Sequence, residues 1–118
     1  MRDYGKVQST FWTSNNTRSL SDDGRMLALY LLTGNHTNQI GCFRLPDGYV
    51  CEDLSWTKER VLKGFVELFN NGFATRDMDS KWVFIHKYLK WNIIENPNQA
   101  KSAVRLFDQV PNESIVKP

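Results

Sequence analysis

The clearest alternation of apolar and polar positions lies between Val50 and Ala74. Val50 to Ser55 suits one short helix, with a tight turn around Trp56. Beyond it, apolar residues fall at Val61, Leu62, Phe65, Val66, Leu68 and Phe69. At roughly 100° per residue they fill one continuous helix face. The opposite face carries Glu59, Arg60, Lys63, Glu67 and Asn70. Thr57 is a capping residue type for the helix start, and Gly72 is a stop. The spacing predicts a helix-turn-helix whose second helix covers about Thr57–Asn70.

The flanking segments extend this pattern. Ser21-Asp22-Asp23 is a capping hydroxyl followed by two first-turn acids, which suit the positive end of a helix. The run from Met26 to Leu32 is apolar nearly all round, so this helix is central in its domain. Ile40 to Leu45 predicts a short strand, and Pro46-Asp47-Gly48 a turn into the motif. Phe73–Arg76 and Lys81–His86 are strand-like runs about a polar turn, a hairpin. The order helix, strand, helix, helix, strand, strand is an α+β winged helix-turn-helix, with Asp77–Lys81 as the wing. Tyr88–Trp91 reads as one helical turn. Asn96-Pro97-Asn98-Gln99 starts an extra C-terminal helix that runs to about Val110, where Pro111 closes it. The chain divides into an extended N-terminal arm (1–20) that tucks Phe11 and Trp12 onto the body, the winged helix (21–91), and a linker, helix and tail (92–118). The helix at 97–110 is amphipathic, suited to homodimer formation or to closing the domain's own core.

Composition narrows the function. In 118 residues, 41% are hydrophobic and 13% aromatic, which supports a packed globule. The formal charge is only +2, so a nucleic-acid reading rests on where the cations sit. No run is apolar enough to span a membrane, and the polar start is no signal peptide, so a cytoplasmic protein without a membrane partner is expected. Cys42 and Cys51 read as small buried hydrophobes, both reduced. Their spacing to His36 and His86 fits no zinc module, so no metal is expected. No phosphate-cradling glycine loop, nucleophile triad or carboxylate pair in an apolar setting occurs. Neither catalytic residues nor a cofactor are therefore expected.

The chemistry that remains is DNA binding. The N-terminus of the second motif helix presents free backbone N–H groups and a positive dipole end, which favour a phosphate. Ser55 and Thr57 offer hydroxyls there, and Lys58 can neutralise a phosphate. Trp56 either packs over the helix pair or lies against a sugar. Arg60 and Lys63 are placed to reach base edges or backbone in a major groove. Arg76 and Lys81 flank the wing tip. These eight residues are the candidate site, with double-stranded DNA as the partner. Against this, Glu59, Lys63 and Glu67 are spaced four apart as paired surface charges are, and Asp77 and Asp79 put acid on the wing. That mixed sign suits a protein contact instead. Trp82, Phe84 and Trp91 read as packing aromatics, or as a stacking platform for single-stranded DNA beside Lys87 and Lys90. Tyr30 reads as core.

Several segments together resemble one family: Phe11-Trp12-Thr13-Ser14, Leu20–Arg25, Leu27–Thr33, His36-Thr37-Asn38, Ile40–Pro46, Lys90-Trp91-Asn92 and Glu95–Gln99. They are similar to the N-terminal region of phage and prophage replication initiation proteins, and the similarity covers nearly the whole chain. It implies a winged helix, origin DNA binding and recruitment of a host helicase or helicase loader. A C-terminal region usually follows in that family, so this chain is either an N-terminal piece or a short member. A winged-helix transcriptional regulator, and a primosome protein-interaction winged helix without DNA contact, are the alternatives. Ser55 stands where many helix-turn-helix proteins carry a turn glycine.

Overall fold

A computed structural model describes residues 3–86, 88 and 97–110. Its elements are a 3-10 turn (Ser9–Trp12), α1 (Asn15–Arg18), α2 (Asp22–Thr33), β1 (Cys42–Arg44), α3 (Asp47–Leu54), α4 (Lys58–Asn71), β2 (Ala74–Arg76), β3 (Trp82–Ile85) and α5 (Pro97–Asp108). From α2 to β3 this is the order of a winged helix. The sheet is antiparallel with order β1-β3-β2, and Phe43 and Arg76 both oppose Val83.

The caps explain the boundaries. Ser21 Oγ accepts from the Gly24 amide at 3.1 Å and starts α2. Thr57 Oγ1 accepts from the Arg60 amide at 3.3 Å and starts α4. Gly72 ends α4 at φ 85°, where Gly72 N–H reaches Phe69 O at 3.1 Å and Phe73 N–H reaches Leu68 O at 2.9 Å. That pair of bonds satisfies two carbonyls the helix end would otherwise strand. Ser55 ends α3 in the left-handed region, at φ 57°.

The period of two in the strands divides the core. Phe43, Val83, Ile85 and Ala74 face α2, α3 and α4 in the main cluster. Cys42, Trp82 and Phe84 face the other way, where Ala103, Leu106 and Val110 cover them. Trp82 and Phe84 are therefore packing residues of the sheet's second face. Trp91, Lys87 and Lys90 lie outside the described residues, as does the Asn96 cap. Under α4, Gly64 lets α2 approach closely: a Cβ there would stand 2.9 Å from Leu27 Cδ2 and 3.5 Å from the Trp56 ring.

Several boundaries differ from the sequence pattern. The first strand is shorter than Ile40–Leu45, because Gly41 turns at φ 68° and Asn38 Oδ1 accepts from the Ile40 amide at 3.1 Å. The arm is not extended. Phe11 is buried in the main core with Leu20, while Trp12 stays exposed against the Phe11 ring edge. Tyr30 is only half-buried, and its hydroxyl donates to Asp53 at 2.5 Å. Cys42 is buried, but Cys51 on α3 is half-buried. Among the described residues no cluster of three metal-ligating side chains forms. No helix of the described residues is long and apolar enough to cross a membrane.

Candidate nucleic-acid interface

The interface is built on α3 and α4. Ser55 closes α3 through its own N–H to Cys51 O, and the Trp56 N–H bonds to the same carbonyl at 3.2 Å. This turn drives the Trp56 ring inward, beside Gly64, so Trp56 is buried and its packing option is the one realised. Thr57, Lys58, Arg60 and Lys63 then stand exposed on the first two turns of α4.

The α4 surface has three sectors. Val61, Gly64, Phe65 and Leu68 are buried. A second sector packs on α2 and the segment before it. Arg60 grips Asp23 with both Nε and Nη2 at 2.8 Å, its guanidinium 4.5 Å above the Trp56 ring. Glu67 accepts from the Ser21 amide at 2.7 Å and from Ser21 Oγ at 2.6 Å. Asn71 Nδ2 donates to Asn16 O at 2.8 Å. The third sector faces outward with Glu59, Lys63, Val66 and Asn70, and Phe69 stands at its edge. Val66 is 60% exposed and Phe69 58%, so the apolar arc read from spacing is wider than the buried face.

Electrostatics follow these pairings. The Arg60 hydrogen bond holds the Asp23 carboxyl below its ordinary value against the opposing effect of desolvation, with the charges of Arg60 and Lys63 adding to it. Asp23 in turn raises Arg60. Lys58 and Lys63 make no ion pair with any of the described residues. They are the two α4 cations held in no ion pair, although the Lys63 charge acts on Asp23.

The wing cations are placed differently from the sequence expectation. Arg76 is 7% exposed and turns inward, its Nη1 2.5 Å from Asp47 Oδ1 and its Nη2 donating to Leu45 O at 2.7 Å. Its guanidinium lies 4.7 Å from the Phe65 ring centre. Lys81, at φ 66°, is partly exposed and sends Nζ to within 3.5 Å of Asp47 Oδ2. The physical reason is Asp47, the first residue of α3, which collects both cations. Burial alone pushes its carboxyl up, but the hydrogen bond and charge of Arg76, with Lys81, outweigh that and hold it low. Arg76 is thus a strut between wing and α3, not a groove contact. The wing tip itself is a tight turn, with Asp77 Oδ1 accepting from the Asp79 amide at 3.0 Å.

Of the eight candidate residues, the structure gathers Ser55, Thr57, Lys58, Arg60 and Lys63 at one exposed end of α4. It buries Trp56 and Arg76 and leaves Lys81 beside Asp47. The partners that reassign Arg60, Glu67 and Arg76 were not foreseen. One signal was available for Glu67. Gly24 fills the third helical position after a serine cap, where a Glu or Gln commonly completes the box. That gap left the role open to a carboxylate from elsewhere.

These elements define a winged-helix protein with a helix-turn-helix at α3 and α4. No protein-family model matches the chain, and no curated protein does. A solved structure described as "N-Terminal domain of DNA binding protein" is 17% identical, with a TM-score of 0.44, over 90% of this chain and 87% of that one.

Proposed function

We propose that this chain binds duplex DNA through the exposed first turns of α4, and that it does so in the initiation of phage or prophage DNA replication. The observation that carries the DNA reading is the exposed pair Lys58 and Lys63, held in no ion pair with a described residue, beside the open N-terminus of α4 in a winged-helix frame. Backbone N–H groups and Thr57 add phosphate donors there. Arg60 joins them by leaving Asp23, an exposed pair that costs little to open. The replication role is supported by the sequence resemblance described above, which brings a host helicase or helicase loader as a second partner. No catalytic residue, cofactor or metal takes part in this reading, and it places the protein in the cytoplasm.

Exposed Val66 and Phe69 favour a second reading, in which the same helix docks a protein of the primosome without touching DNA. Salt titration of binding to random-sequence duplex separates the two. Two or three phosphate contacts give a log–log slope of about −2 to −3. Absence of duplex binding at low salt, with retention of a helicase loader in pulldown, would overturn the DNA reading and leave the protein contact.

A further inference from the structure

Arg60 is held on two sides. Along one edge of the guanidinium, Nε and Nη2 donate to the two oxygens of Asp23 at 2.8 Å. Against its face lies the Trp56 ring, 4.5 Å from the guanidinium carbon to the ring centre. That ring is itself fixed, because it is buried beside Gly64. An arginine already held by a carboxylate and an aromatic face loses little further freedom when it makes another contact. The end edge of the fork, one N–H of Nη1 beside one of Nη2, is left over. Nη1 bonds to none of the described residues, and the side chain is 48% exposed. Two N–H groups side by side match two acceptors side by side, as guanine O6 and N7 stand in the major groove.

The surroundings disfavour a phosphate at the same place. Among the described residues, the groove that Arg60 lines between α2 and α4 carries Asp22, Asp23 and Glu67 against Arg60 and Lys63. Asp23 already neutralises Arg60, and the other two acids repel an anion. A neutral base edge meets no such repulsion. On random duplex Arg60 adds a phosphate contact only by giving up Asp23; over a guanine it keeps Asp23 and uses its free edge.

We infer that Asp23 is a positioning residue that makes Arg60 the reader of one guanine instead of a clamp on phosphate. Arg60 touches the base, and Asp23 acts only through Arg60. Lys58 and Lys63 supply the backbone contacts that hold the helix to the groove, which carry no sequence information themselves. The inference rests on the duplex reading above and adds a base preference to it.

The test is selection of duplexes from a randomised library by the intact chain, followed by affinities for the selected and the random duplex at equal salt. The parent should enrich a guanine. Replacing that guanine's pair by adenine and thymine should weaken binding by roughly 5- to 150-fold, the range of one bidentate base contact. Replacing the guanine by 7-deazaguanine, which lacks the N7 acceptor, should weaken it as well. Arg60→Lys keeps the charge and loses the fork. It should bind random duplex about as the parent does, without the guanine preference or the response to 7-deazaguanine. Asp23→Asn should bind random duplex more tightly, since Arg60 is then free to take a phosphate, and should lose most of the guanine preference. A guanine preference that survives in either variant at parental strength would overturn the inference. So would an Asp23→Asn variant that weakens on both duplexes alike, the mark of a merely structural pair. Random-duplex binding with no guanine enriched would overturn it and leave the duplex reading standing, whereas absence of any duplex binding would overturn both.

Discussion

Asp47 shows how one carboxylate decides the fate of two cations. It stands at the start of α3 and draws Arg76 and Lys81 together. Breaking a buried pair by removing one partner leaves an uncompensated charge, so Arg76→Ala should destabilise the fold by about 3–5 kcal/mol in urea unfolding. The pH dependence has a definite sign. Asp47 is held below the ordinary carboxylate value, about 3.9. Its contribution is complete above that value and fades as the pH falls through the lower, folded one. Asp47→Asn should therefore flatten the acid limb of stability below about pH 4, as measured by urea midpoints across pH. An unchanged acid limb would remove Asp47 from this role. Ser55 gives a second residue-scale prediction. It holds φ 57° without being glycine. A left-handed conformation costs an L-residue about 1–2 kcal/mol, part of which glycine loses again in the unfolded chain. Ser55→Gly should stabilise by about 0.5–1 kcal/mol; a lower melting temperature would contradict this.

At the scale of elements, α2 and α4 are joined through a cap that neither supplies alone. Ser21 caps its own helix, and Glu67 completes the box from α4. Gly24 makes room, since a Cβ there would stand 2.6 Å from Glu67 Oε1. Glu67→Ala should cost about 1–2 kcal/mol, between a lost cap and a lost charge-assisted hydrogen bond. Amide exchange should accelerate in the first turn of α2 while the wing is unaffected. Uniform acceleration over the whole chain would mean global destabilisation instead of a local cap. The elements themselves were legible in the sequence because their signals are local. Ser21, Thr57 and Gly72 mark ends that the structure shows, and the turn at Asp77–Lys81 lies between β2 and β3. The burial of α4 was less legible. Spacing grouped Val66 and Phe69 with Val61 and Phe65, but an amphipathic arc does not state how much of itself a neighbour covers.

Across the whole molecule, the charge pairs were the part the sequence did not disclose. Arg60 meets Asp23 across 37 positions, Lys81 meets Asp47 across 34, and Glu67 meets Ser21 across 46. No helical or strand period links such positions; only the packed topology does. Reading i to i+4 partners placed Glu67 on a solvated face, and reading the wing as a hairpin placed Arg76 outside. On α4 and the wing the result is a smaller cationic surface than the sequence pattern suggests, concentrated at Lys58 and Lys63 with Arg60 in reserve. That concentration is also why the molecule should bind DNA weakly and with strong dependence on salt.

The most direct test compares salt slopes for random-sequence duplex binding between the parent, Lys58→Gln with Lys63→Gln, and Lys81→Gln. Each lost phosphate contact lowers the slope by about 0.9. The α4 double variant should lose close to two contacts at unchanged thermal stability, and Lys81→Gln should match the parent. A double variant with the parental slope, or a Lys81 variant that loses most of the binding, would contradict the assignment of the exposed α4 turns as the DNA-facing surface.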